Sequence, residues 1–168
     1  SYDAYTARAE NVPFYNCKTP FSNLTYSESG QKRYREEHFE LIHTQNIDPS
    51  TSFNITYKAR STMGLYDWQR TKNHALSVGF AHTGKRYSVH AAYMNNRIDA
   101  RENGGVVGEW AIADTTFEMP SGVPMRLASA EAENKYRNNA FVLKQAYAIP
   151  LQRVTEYDFS LADLSAVY

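Results

Sequence analysis

"SFNITYKARSTMGLYDW", residues 52–68, alternates apolar and polar side chains for longer than most strands last. Phe53, Ile55, Tyr57, Ala59, Met63 and Leu65 stand at odd positions; Asn54, Thr56, Lys58, Arg60 and Thr62 stand at even ones. Side chains of a strand point to opposite faces in turn, so the stretch has one apolar face and one wet, cationic face. A globular strand usually ends after ~5–6 residues, whereas one that crosses hydrocarbon at a tilt needs ~9–11 and can continue outside it. Burying Lys58 and Arg60 in a dry core without partners would be costly; beside a water-filled lumen it costs little. An ordinary soluble sandwich or small barrel, with the apolar face as its core, is the competing interpretation. The length of the stretch tips the balance toward a barrel wall.

Other segments alternate in the same way. "SNLTYS" (22–27) places Leu24 and Tyr26 on one side, and "EHFELIHTQNI" (37–47) groups Phe39, Leu41 and Ile47, with His43 and Gln45 interrupting. "NHALSVGFAHT" (73–83) sets Leu76, Val78 and Phe80 against Ala75, Ser77, Gly79 and Ala81, a face of small residues that leaves room for a channel or an inward-folded loop. "RYSVHAAYMNN" (86–96) sets Tyr87, Val89, Ala91 and Tyr93 against Ser88, His90 and Ala92. "NNAFVLKQAYAIPL" (138–151) sets Phe141, Leu143, Tyr147 and Ile149 against Asn138, Ala140, Lys144 and Ala146, and "EYDFSLADLSAVY" (156–168) reads as a last strand.

The connections run short (48–51, with Asp and Pro in a turn), longer (about 66–72), short (84–85), very long (99–135) and short (152–155). Tight turns at one rim and long loops at the other are the signature of a transmembrane barrel. Phe53, Phe80, Tyr87 and Tyr147 fall within a few residues of the short turns and would form a membrane-interface belt; Tyr66, Trp68 and Tyr93 would begin the opposite one. By the same registry Asn54, Thr56, Lys58, Arg60, His90, Asn138 and Lys144 line the lumen. Lys58, Arg60 and Lys144 would give it a locally positive wall, a hint of anion preference, unless Glu40 or further strands of the barrel neutralise them. The loop 99–135 is long enough to fold inward as a constriction or to lie on the surface.

Composition limits the function classes. Lys and Arg total 18 and Asp and Glu total 18, so no net field points to nucleic acid. Tyr accounts for 13 of 168 residues, which suits half-buried strands and apolar–water boundaries. Cys17 is the sole cysteine, so an internal disulfide cannot form. No apolar run approaches the ~18–20 residues of a membrane helix, which says nothing against a barrel. The chain starts at Ser1 rather than Met, as a mature or excised form would.

Catalytic and metal chemistry find little support. His38 and His43 fall on opposite faces of one strand, and His74 and His82, on one face, would stand more than ~20 Å apart; no metal site or cofactor is expected. A Ser/His/acid hydrolase lacks a G-x-S-x-G elbow. Glu36, Glu37 and Glu40 read as solvated charges rather than a catalytic pair, and "ENGGVVG" (102–108) lacks dinucleotide spacing. "NLT" and "NIT" match the N-glycan sequon but fall within strands.

"ENVPFYNCKTPFSNLTYSESG", "FELIHTQNI", "SFNITYKARSTMGLY", "KRYSVHAAYMNNRIDARENGGV" and "NKYRNNAFVLKQAYAIPL" resemble, in this order, the putative porins of Bacteroidota-type outer membranes. The resemblance implies a bacterial outer-membrane β-barrel acting as a passive channel for small solutes, with no catalytic motif. "DTT" (114–116) resembles an O-glycosylation acceptor of the same bacterial group. Members of that family are longer, so the chain is expected to be the N-terminal part of a larger barrel; a complete barrel of about eight strands is the rival.

The sequence therefore predicts an all-β, antiparallel transmembrane barrel of the outer-membrane type, of which residues 1–168 form a single domain, the N-terminal part of the barrel. The expected partners are outer-membrane lipid, small diffusing solutes, and other outer-membrane proteins or surface lipoproteins. A non-conducting structural barrel subunit of an outer-membrane complex, or a soluble lipocalin-like binding barrel, is the alternative.

Overall fold

The computed structural model describes residues 6–8, 12–30, 34–113, 122–127 and 132–149. The strand expected at 156–168, the turn at 152–155 and the "DTT" of 114–116 lie outside the described residues. The rest is one antiparallel sheet of six strands: β1 (Phe21–Ser29), β2 (Glu36–Asp48), β3 (Thr51–Met63), β4 (Arg70–Thr83), β5 (Tyr87–Arg101) and β6 (Glu133–Tyr147). Each strand pairs with its neighbour in sequence, and among the described residues no pairing joins β1 to β6, so the sheet is an open meander. It is barrel-like in topology, with closure not shown. A single helical turn, Trp110–Ala113, interrupts the longest connection.

The strands of β2 to β6 run 13 to 15 residues, longer than a globular sheet requires. The connections alternate as the sequence suggests. Residues 49–50 and 84–86 form tight turns at one end; at the other end the chain leaves β1, β3 and β5 for longer connections, of which 64–69 is described throughout. In the first tight turn the Ser50 N–H donates to the Asp48 carboxylate at 2.7 Å, a local bond that fixes the reversal. In the second, the Gly84 N–H donates to the Tyr87 carbonyl at 2.8 Å.

Three boundaries differ from the periodicity. The strand of 52–68 stops at Met63, and the Gly64 N–H closes a loop by donating to the Gln69 carbonyl at 2.9 Å. Trp68 takes φ = 66° in that loop, a left-handed conformation no strand residue adopts. Near the end of β2 the register shifts between Asn46 and Asp48, leaving Ile47 as the extra residue of a bulge, 63% exposed. Finally, β5 continues to Arg101 and β6 resumes at Glu133, so the long connection is 102–132.

The described part of that connection prolongs the β5–β6 hairpin. The Glu102 N–H donates to the Ala132 carbonyl, Leu127 N–H to Asn103, and Arg126 N–H to Gly105. Asn103 Nδ2 then reaches the Asp67 carbonyl at 3.3 Å, tying this extension to the β3–β4 loop.

The two faces of the sheet differ sharply. In β4, Asn73, Ala75, Ser77, Gly79 and Ala81 are buried while Leu76, Val78 and Phe80 between them are not. The covering material is the segment that precedes β1. Val12 packs with Ala92 and Met94, and Ala7, Ala140 and Val142 close around them. This small cluster is the core of the described structure, and it sits on the covered face rather than between two layers.

Candidate functional site

The register assembles each face residue by residue. On the covered face, Glu40, Lys58, Ala75, Asn96 and Asn138 form one row across five strands. The neighbouring rows are His38, Arg60, Asn73, Ile98 and Tyr136, and, toward the tight turns, Ile42, Thr56, Ser77, Met94 and Ala140. On the bare face the corresponding rows are Leu41, Tyr57, Leu76, Asn95 and Asn139, then His43, Ile55, Val78, Tyr93 and Phe141, then Gln45, Phe53, Phe80, Ala91 and Leu143.

The bare face is apolar and open. Phe80, Tyr93, Phe141 and Leu143 are 39%, 42%, 67% and 50% exposed, a contiguous patch of a kind that soluble monomers rarely display. Its histidines are all hydrogen-bonded to hydroxyls: His43 to Ser22 at 2.7 Å, His74 to Tyr57 at 2.9 Å and His82 to Thr51 at 2.9 Å. Such pairing lowers the cost of placing an imidazole among apolar groups. Tyr57 also stacks on the His74 ring at a centroid distance of 6.3 Å and lies 6.0 Å from Phe39. His43 and Gln45, which interrupt the apolar pattern of β2 in sequence, do share the face of Phe39 and Leu41.

The covered face is polar and charged. Lys58 Nζ lies 2.8 Å from Glu40 Oε1, its direct cross-strand neighbour, and Arg60 Nε donates to Glu36 Oε1 at 3.0 Å. The positive wall that Lys58 and Arg60 would make is thus neutralised by β2. Beneath them, Asn54 is 2% exposed and Thr44 1%. Asn54 Nδ2, Thr44 Oγ1 and Thr56 Oγ1 have no hydrogen-bond partner among the described residues. Buried polar atoms are normally satisfied, so a face carrying several such groups suits contact with water better than a dry core. Gly79 makes the Asn54 position possible: a Cβ there would stand 2.2 Å from Asn54 Oδ1.

Between this face and the segment before β1 lies a cavity of about 640 Å³. Thr56, Lys58, Arg60, Glu40, Ala75 and Ser77 form its floor, and Ala7, Arg8, Val12, Pro13 and Tyr15 lie against it from above. The segment is anchored by side chains of the sheet. Asn96 Oδ1 accepts from the Ala7 N–H at 2.7 Å while Asn96 Nδ2 donates to the Ala7 carbonyl at 2.9 Å. Asn46 holds the other end, accepting from the Cys17 N–H at 3.2 Å and donating to Asn16 Oδ1 at 2.7 Å. Between them Phe14 meets the His90 ring edge-on at 5.0 Å.

Of the residues that the sequence assigns to the lumen, all seven share the covered face. The cavity gathers Thr56, Lys58 and Arg60; Asn54 lies below it toward the tight turns, His90 is engaged with Phe14, and Asn138 and Lys144 stand on β6, outside it. The aromatics Phe53, Phe80, Tyr87 and Tyr147 share the bare face near the tight turns. The periodicity gave no role to residues 6–8 and 12–17, held at Ala7 by Asn96 and at Asn16 and Cys17 by Asn46, residues that by type alone read as ordinary wet-face positions.

At the rims, Asp48 is held below the usual carboxylate range by the Thr51 hydroxyl and then the Ser50 N–H, and the Arg35 guanidinium above its ordinary value by Tyr26, with Glu28 and Glu37 nearby. Among the described residues no group of three or more His, Cys, Asp or Glu is placed to hold a metal ion. No helix is long and apolar enough to cross a membrane, which says nothing of crossing by strands.

Comparison with protein families gives a match over residues 1–165 to a family described as "Putative porin". No curated protein and no solved structure matches the chain.

Proposed function

This chain belongs to the putative porin family, and from that premise we propose that it forms part of the wall of an outer-membrane barrel through which small solutes diffuse passively. Membership makes it a porin-type, non-enzymatic protein with an outer-membrane context; the diffusion path, its direction and its lining are the proposal. The observation that carries it is the division of the sheet. Phe53, Ile55, Val78, Phe80, Tyr93, Phe141 and Leu143 stand on the bare face, and Lys58, Arg60, Glu40, Asn96 and Asn138 on the covered one. A lipid-facing wall with a wet lumen needs that division in every strand. In this reading Asn54, Thr56, Lys58, Arg60, His90, Asn138 and Lys144 line the lumen, and Phe53, Phe80, Tyr87 and Tyr147 sit at the lipid–water boundary.

A second reading, a non-conducting structural subunit, is favoured by residues 6–8 and 12–17, which lie against the covered face and are pinned by Asn96 and Asn46. Conductance of the full-length protein in a planar bilayer separates the two. The channel reading predicts stepwise conductance in the wild type, and a shift toward anion selectivity in Glu36→Gln/Glu40→Gln, which unmasks Arg60 and Lys58. Absence of conductance in the wild type, with conductance appearing in Asn46→Ala/Asn96→Ala, would favour the plugged subunit.

A further inference from the structure

We propose that the bare face at the long-loop ends of β4, β5 and β6 is a binding site for the phosphate of a lipid headgroup, because the sheet there sets arginine directly opposite arginine twice without enough carboxylate to neutralise them. The inference rests on the membrane reading above. Arg70 pairs in register with Arg101, and Arg97 with Arg137. Like charges directly opposite one another destabilise a sheet. Lys72 and Lys135 flank Asp99 in the row between, so six cations face two carboxylates, Asp99 and Glu133.

Of those carboxylates Glu133 is engaged through both oxygens and Asp99 through one, its buried Oδ1 having no hydrogen-bond partner among the described residues. Asp99 Oδ2 accepts from Arg97 Nε at 2.9 Å. Glu133 divides its oxygens between Arg101 Nε at 2.9 Å and Lys135 Nζ at 2.8 Å. Arg70, Lys72 and Arg137 have no carboxylate partner among the described residues, and Arg70 Nε is buried with no hydrogen-bond partner there. Between these side chains lies a depression of about 200 Å³, lined by Arg70, Lys72, Arg97, Arg101 and Lys135 together with both carboxylates. Its size admits a phosphate group with the start of what the phosphate is attached to.

Position selects the source of that phosphate. Counted from Tyr87, Arg97 is the eleventh residue of β5, at the end of the ~9–11 residues that a tilted strand needs to cross hydrocarbon. Below it on the same face lie Tyr93, Phe141 and Val78; above it come Asp99 and Arg101. The cluster therefore lies at the edge of the apolar band, where headgroup phosphates of the loop-side leaflet run. An anionic lipid brings its acyl chains to the apolar patch and its phosphate to the arginines, whose planar donors suit bidentate contact with phosphate oxygens. A free anion would gain only the second of these.

The test uses the full-length protein purified in detergent, after confirming that it inserts into vesicles and shifts on heating in a denaturing gel. Binding of short-chain phosphatidic acid is titrated against phosphatidylcholine and against inorganic phosphate. Two variants with the same change of charge are compared: Arg70→Gln/Lys72→Gln in the depression, and Lys85→Gln/Arg86→Gln at the opposite rim. The expected result is preference for phosphatidic acid, reduced about tenfold or more by the first variant and not by the second, as loss of charge-assisted contacts would give. Equal binding by both variants, or binding of inorganic phosphate as strong as that of the lipid, overturns the proposal while leaving the membrane reading intact. Failure of the wild type to enter vesicles overturns both.

Discussion

Val78→Arg places a cation in the middle of the bare face. Val78 stands between Ile55 and Tyr93 in register, with His43 and Phe141 at the ends of the same row, and the Arg137 row lies four residues away along β6. If that face contacts lipid, an arginine near the bilayer midplane costs ~2–4 kcal/mol, falling to ~0–1 near the interfaces. At ~1.4 kcal/mol per tenfold, the folded, inserted population falls by roughly 30-fold to 700-fold. If the face instead met water, a half-buried valine exchanged for arginine would change stability by about 0.5 kcal/mol or less. The two expectations are far enough apart to measure. Ser61→Arg supplies the comparison: Ser61 is on the same face, opposite Glu37 and Lys72 and beyond the apolar rows, so it should cost at most ~1 kcal/mol. The assay is urea titration of the full-length protein in lipid vesicles, with the folded fraction read from the heat-dependent shift on a denaturing gel. Agreement of Val78→Arg and Ser61→Arg within about 0.5 kcal/mol would refute the assignment of the bare face to lipid.

Three further outcomes follow from local geometry. Asn96→Ala removes both bonds to the Ala7 backbone; at ~0.5–1.5 kcal/mol net for each, local release of the chain at Ala7 rises by roughly 5-fold to 150-fold, seen as faster proteolysis around residues 6–8 with unchanged β-sheet circular dichroism. Gly79→Ala drives a Cβ toward the buried Asn54 and should destabilise by ~1–3 kcal/mol, a cost that Asn54→Ala combined with it recovers in part; full tolerance of the single change would contradict the packing. Asp48, at the tight-turn rim outside the apolar band, has its folded carboxyl below the usual range, so its stabilisation is fully present above the unfolded value of ~4 and is lost as pH falls through the folded value. The difference in melting temperature between wild type and Asp48→Ala should accordingly shrink on acidification, and a difference that grows below pH ~4 would reverse the sign.

The faces were legible because alternation is a property of single strands: Phe53 to Ala59 and Leu76 to Phe80 declare themselves without reference to any partner. Glu40 as the counter-charge of Lys58 was also within reach, since a carboxylate of one strand commonly meets a cation of the next. The end of β5 was not legible for an instructive reason. Beyond Asn95 the alternation persists but changes sign, with Arg97, Asp99 and Arg101 on the bare face and Ile98 and Ala100 buried on the covered one. A polarity rule tuned to one environment reads that change as a loop, although the strand has only left the apolar band. The placement of residues 6–8 and 12–17 escaped because they have no period of their own. Their place depends on Asn96 and Asn46, some 30 to 90 residues away in sequence, and on the small Ala92 beside Met94.

The most direct test of the account uses two adjacent residues on opposite faces. Ser77→Cys and Val78→Cys, each in a Cys17→Ser background, are labelled with a small fluorophore in the full-length protein reconstituted into vesicles. Quenching is measured with brominated lipid and with aqueous iodide. The account predicts that the label at position 78 is quenched by brominated lipid and shielded from iodide, and that the label at position 77 shows no quenching by brominated lipid. Quenching of the label at 77 by lipid, or of neither label by lipid, would contradict a sheet that stands between hydrocarbon and a wet interior.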